Sequence, residues 1–308
     1  MWGRLVTCGG LVILLVLWQR IAGPIANRPQ VTNLPHKHNR CAKLTIQAFL
    51  PVCLILQTMH AETPLERGKR IVNECLDALG GDRYLHMENR EQSGRAYSFY
   101  REKLSGLSIA KVYTRYYNNV TDTAHELAQR ERQNFGKKED FGNLFAENEA
   151  WDLTFRGARP LPLDRFARYK ETTIRDIFYI LRVRLHESGW TFESRGADVL
   201  QNAPVEIVDV TDADNRVTTV YFHQLTKLPI RQLFYRRDPA TKFKDEEITL
   251  FSKYRDVGNG VQWPFAIERE RNGEKVFEIF ADSVTINSSK VPDSLFALPS
   301  SIKLLKPQ

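Results

Sequence analysis

Hydrophobic and polar residues alternate with period two over much of the second half of the chain. In 247–254 (EITLFSKY), Ile248, Leu250 and Tyr254 share one face, and Glu247, Thr249 and Lys253 the other. In 261–268 (VQWPFAIE), Val261, Trp263, Phe265 and Ile267 fall on one face. Successive Cβ atoms of a strand point to opposite sides of a sheet, so this alternation predicts half-buried strands. Asn272-Gly273 is the favoured two-residue hairpin turn, because both residues tolerate positive φ. Further strands are expected at 190–195, 205–210, 216–223 and 229–237, with short connections that permit only antiparallel neighbours. Pro264 removes one ladder donor and predicts an edge or a bulge there.

The first half mixes strands with two helices. Thr63-Pro64-Leu65-Glu66 is a capping box with proline at the first helical position. Ile71, Val72, Cys75, Leu76 and Leu79 follow at helical spacing, and Gly80-Gly81 stops the helix. Residues 92–104 and 108–117 read as an aromatic-rich hairpin turning near Ser105-Gly106. Weaker strand patterns cover 127–134 and 141–146, and 151–155 is a short strand or loop. A second helix is expected over 172–185, where Ile174, Ile177, Phe178, Leu181 and Leu185 form one apolar stripe. That stripe needs a partner, and the sheet is the large one available.

The predicted fold class is therefore α+β. About ten antiparallel strands exceed what a flat open sheet tolerates without curling. The expected architecture is a strongly curved sheet, an incomplete β-barrel, with helices covering its concave side.

Residues 1–61 stand apart from this pattern. They hold two apolar runs, at 11–18 and 44–56. The first is too short to cross a bilayer, which takes about 20 residues. The second has the order of a secretory signal peptide: Lys37, Arg40 and Lys43, then the apolar run, then Met59-His60-Ala61 ahead of Glu62. The expected division is a leader over 1–61 and one exported domain over 62–308. The true start is expected near Val31 or Leu34; the other reading of the leader is a signal anchor followed by a linker.

Charge changes the picture only through this leader. The net charge of +7 suggests an anionic partner, but six of the 44 basic residues and none of the 37 acidic ones lie in 1–61. The rest is nearly balanced, which argues against nucleic acid as a partner. Cys8, Cys41 and Cys53 also fall in the leader, leaving Cys75 as one thiol on an apolar helical stripe. A domain with one thiol is held by its core and not by internal disulfides.

No catalytic signature stands out. His86, His125, His186 and His223 are scattered without metal-ligand spacing, and no Gly-x-Ser-x-Gly elbow occurs. Gly258-Asn259-Gly260 lacks the following helix of a dinucleotide loop. No cofactor or metal is implied, and an enzyme is not expected. A membrane barrel is disfavoured by the long amphipathic helix and the non-aromatic end Lys306-Pro307-Gln308.

Four stretches carry a family resemblance: the helix ending in Leu79-Gly80-Gly81, Leu228-Pro229-Ile230-Arg231, 251–264 (FSKYRDVGNGVQWP) and 287–299 (NSSKVPDSLFALP). Over 63–299 the chain resembles the outer-membrane lipoprotein-sorting superfamily, the LolA-like carriers, with extra residues around 121–159. The resemblance implies a periplasmic half-barrel lidded by helices, with an apolar cavity for lipid or lipoprotein acyl chains. The cavity-lining candidates are Ile174, Ile177, Phe178, Leu181, Leu250, Tyr254, Trp263, Phe265 and Ile267; the same positions also read as plain core. The implied function is that of a monomeric lipid carrier in outer-membrane biogenesis. The alternative is an envelope sensor or interaction module of the same fold, with an envelope membrane protein as partner.

Overall fold

The computed structural model describes residues 61–307, except 124, 239 and 240. The two apolar runs, the signal-peptide pattern and the three leader cysteines lie outside these residues. Residues 59–308 form a compact unit of their own.

The chain enters through α1 (Pro64–Leu79), whose capping box is complete: the Thr63 hydroxyl accepts from the Glu66 N–H, and the Glu66 carboxylate accepts from the Thr63 N–H at 2.9 Å. Gly80 and Gly81 both take positive φ and end the helix. A short α2 (Asp82–Leu85) leads into β1 (Asn89–Tyr100). An antiparallel meander follows through β2 (Lys103–Tyr116), β3 (Gln129–Phe135), β4 (Phe141–Phe145), β5 (Ala150–Thr154) and β6 (Gly157–Pro160). Then come α3 (Leu163–Ile174), α4 (Ile177–Tyr179) and a π-helical turn, Ile180–Arg184. The second meander is β7 (Thr191–Leu200), β8 (Ala203–Thr211), β9 (Val217–His223), β10 (Pro229–Arg237), β11 (Lys244–Asp256), β12 (Gln262–Arg271) and β13 (Glu274–Ile286).

Pairing of β1 with β13, from Arg90 opposite Ile286 to Ser98 opposite Phe277, fuses the two meanders into one 13-stranded antiparallel sheet. Its ends, β6 and β7, do not pair with each other, so the sheet is open. The described residues form thirteen strands, where about ten were expected; the short β6 carries no alternation of its own.

The helical segment between β6 and β7 shows that the sheet curls. On one arm the Tyr179 hydroxyl accepts from the Ala128 N–H just ahead of β3, and Tyr169 stacks on Phe145 of β4 at 3.6 Å between ring centroids. On the other arm the Ile177 N–H donates to Gln232 of β10, and Phe178 meets Phe251 of β11 and Trp263 of β12 at 5.0 and 4.8 Å. A segment this short reaches both arms only if the sheet bends around it.

Three local expectations are corrected. The expected helix over 172–185 is two pieces: α3 starts earlier, at Leu163, and stops at Ile174. Asp176 restarts the helix by accepting from the Phe178 and Tyr179 N–H groups. Every side chain from Ile177 to Arg184 is buried, so the segment is a core plug and not a surface helix with one apolar stripe. The first hairpin turns at Arg101-Glu102, both at positive φ, and not at Ser105-Gly106. Gly106 instead lies in β2, where a Cβ would come within 2.6 Å of the Ser98 hydroxyl. Pro264 is not on an edge strand: β12 lies between β11 and β13. Its pairing with β13 begins at Ala266, so the missing N–H falls where β12 has a neighbour on one side alone.

The main core joins α1, the plug and the inner faces of β8, β9, β11 and β12. Cys75 lies in it fully buried, and burial pushes its thiol far above the ordinary value, which suits a small hydrophobe and not a nucleophile.

Candidate functional site: a cleft on the inner face of the sheet

A cleft of about 550 Å³ lies between α3, the start of α4 and the inner face of the sheet, within the usual size range for small-molecule sites. Its apolar wall is aromatic. Phe178, Phe251 and Trp263 meet there, the first two edge to face at 88°. Arg90 of β1 lays its guanidinium over the Trp263 ring, 4.0 Å from the centroid, while donating to the Thr114 hydroxyl at 2.9 Å. The ring quadrupole attracts the cation and offsets part of the hydration that a buried guanidinium loses. The Trp263 indole N–H, in a side chain 2% exposed, has no acceptor among the described residues.

The remaining lining mixes apolar and charged side chains. Five arginines and four carboxylates line the cleft. Arg271 donates to Glu247 at 3.0 Å, and Arg236, beneath them, donates to Asp245 at 2.9 Å. The half-buried Asp176 caps α4; burial raises its carboxyl above the ordinary value against the pull of Arg269, two backbone N–H groups and Arg90.

The structure distributes the nine sequence-derived cavity candidates unevenly. Phe178, Trp263 and Ile267 line the cleft. Ile174, Ile177, Leu181 and Phe265 are packed into the main core, and Tyr254 packs against it with its hydroxyl donating to the Pro229 carbonyl. Leu250 is half-buried and lines no part of the cleft; on β11 the lining falls to Glu247, Ile248, Thr249 and Phe251. Lys253, at φ 57°, then shifts the alternation so that Tyr254 turns back to the core. The expected wholly apolar cavity is thus a mixed one. Sequence reasoning passed over Arg90, Tyr169, Arg168, Arg269 and Arg271. For the last two a signal existed, since the period-two register of Trp263, Phe265 and Ile267 continues to Arg269 and Arg271.

Among the described residues no group of three or more His, Cys, Asp or Glu side chains is placed to hold a metal. No helix among them is long and apolar enough to cross a membrane.

No family model and no curated protein matches this chain. Solved structures do. A DUF1329 family protein from Desulfovibrio piger superposes with a TM-score of 0.52 at 12% identity, over 76% of this chain and 98% of that one. A putative outer membrane lipoprotein-sorting protein domain from Vibrio parahaemolyticus gives 0.48 at 10% identity, over 75% and 97%. The LolA superfamily protein NE2245 from Nitrosomonas europaea gives 0.45 at 9%, over 75% and 97%. The likeness that carries weight is the first, and at that identity it concerns fold alone. The open antiparallel sheet with helices on its inner side is the fold it shares with that DUF1329 family protein.

Proposed function

We propose that this protein is a periplasmic binding protein that holds an acyl chain, of a lipid or of a lipoprotein, in the cleft between α3 and the sheet. The observation that supports this reading best is the aromatic wall of Phe178, Phe251 and Trp263 in a cleft of about 550 Å³. Such a wall gains free energy by removing methylene groups from water, about 0.8 kcal/mol for each one buried, less the cost of ordering the chain. Export is supported by the signal-like pattern at 37–61 and by the one-thiol domain. A carrier also needs a way to release its cargo; α3, whose two faces meet the cleft and the solvent, is the element placed to move.

The test is native mass spectrometry of the 59–308 unit together with displacement of a fluorescent apolar dye by acyl chains. Bound lipid masses, or dye displacement at micromolar acyl concentration that is weakened at least tenfold by Trp263→Ala, support the reading. Protein that is lipid-free and displaces no dye with any acyl compound sinks it.

A further inference from the structure

The wall formed by β12 changes character along one strand. Trp263, Ile267, Arg269 and Arg271 all line the cleft, apolar at one end and cationic at the other. At about 3.3 Å per residue, the step from Ile267 to Arg271 spans about 13 Å. Arg168 of α3 lines the cleft beside the cationic end. Burial lowers its pKa, and the neighbouring guanidinium groups of Arg271 and Arg236 lower it further.

These cations are not equally satisfied. Arg271 and Arg236 are tied to Glu247 and Asp245. Arg168 and Arg269 both line the cleft and have no ion pair with a carboxylate among the described residues; Arg168 is half-buried and Arg269 is exposed. Arg269 has an aromatic ring, Phe277, beneath its guanidinium. The remaining carboxylates of the lining do not supply the missing charge. Asp176 accepts from two backbone N–H groups and attracts Arg269 without forming an ion pair with it, Glu131 accepts from Gln133, and Asp164 sits in the first turn of α3, where the helix dipole favours it. The half-buried Arg168 guanidinium is repelled by Arg271 and Arg236 and attracted by Glu247 and Asp245 without forming an ion pair of its own, so an anionic head beside it would supply one. The buried, unpartnered Trp263 N–H marks the other end as one where polar groups are also incompletely matched.

We infer that the cleft selects acyl ligands that end in an anionic oxygen head, a carboxylate or a phosphate, with Arg168 and Arg269 gripping the head and the chain running along β12 towards Ile267 and Trp263. This rests on the acyl-binding reading above and adds the chemical class of the ligand. Arg168 bridges from the helix to the sheet through the head group, so an anionic ligand would also hold α3 down over the cleft.

The experiment measures dissociation constants of the 59–308 unit for laurate, dodecyl phosphate and methyl laurate at pH 8, where the first two are charged and the ester is not. Charge-assisted hydrogen bonds predict that the native protein prefers a charged ligand over the ester by about tenfold or more. The double variant R168Q/R269Q should shrink that preference below about threefold, with thermal unfolding checking that it is folded. A tighter laurate complex assigns a carboxylate head, and a tighter dodecyl phosphate complex a phosphate head. Equal binding of ester and anions by the native protein overturns the inference while leaving acyl binding intact. So does a preference that survives in the double variant. Failure of all three ligands to bind removes the acyl-binding reading itself.

Discussion

Among single residues, Arg184 and Asp212 make the most demanding pair. Arg184 is buried at the end of the plug, donating to Asp212 at 3.1 Å, to Glu187 and to the Ile174 carbonyl. Asp212 is buried too and accepts from Arg216 at 2.7 Å. Burial alone would raise the Asp212 carboxyl; hydrogen bonds from the Arg216 backbone and side chain outweigh it and hold the group below the ordinary carboxylate range. Removing one partner of such a pair strands the other charge in the interior, so Asp212→Ala is expected to cost about 3 kcal/mol in urea unfolding. The lowered value also sets a direction with pH. The stabilisation is present above the ordinary carboxylate pKa, about 3.9, and is lost as pH falls through the folded value. Unfolding free energy of the native protein should thus fall more steeply below about pH 4 than that of Asp212→Asn. Equal slopes would show that the pair contributes nothing to acid sensitivity.

On the level of elements, α1 is fixed by how closely it approaches β7. A Cβ on Gly68 would lie 2.2 Å from the Phe192 carbonyl oxygen. Helix propensity alone favours alanine over glycine by about 1 kcal/mol, but this helix has no room for the methyl. Gly68→Ala is therefore predicted to destabilise by about 1–3 kcal/mol, the usual cost of overpacking. A stabilised variant would mean that α1 rides further from the sheet. The Arg67 guanidinium, which donates to both Glu206 oxygens at 2.7 Å, should separate from β8 in that variant as α1 lifts.

For the whole molecule, the curled sheet with an incompletely filled inner face couples ligand to stability. Anything that binds the folded protein alone stabilises it by RT ln(1 + [L]/Kd), about 2.7 kcal/mol at a hundredfold excess over Kd. Saturating laurate should raise the melting temperature of the 59–308 unit by several degrees, by less in Trp263→Ala, and by less again in R168Q/R269Q. A melting temperature unchanged by laurate and by dodecyl phosphate alike would show that the cleft takes no anionic acyl ligand.

Much of this architecture is decided locally and was readable without coordinates. Alternation marks β7 to β12 because each strand has one face more buried than the other, and the Thr63–Glu66 box and Gly80-Gly81 mark the ends of α1 because capping chemistry needs no distant partner. Other features depend on which residues meet across the fold. The sequence by itself cannot show that β1 pairs with β13, since nearly two hundred residues separate Arg90 from Ile286. Nor can it separate lining from core: Phe265 and Trp263 share one strand face and one core cluster, yet of the two Trp263 alone lines the cleft. The segment from Ile177 to Arg184 became a buried plug because the sheet closes round it from two sides, which no local period records. The arginines tell the same story: on the strand they are ordinary polar residues, and only α3 bringing Arg168 against Arg271 makes that end of the cleft cationic. Local propensity thus settled the parts, while long-range pairing settled what they enclose.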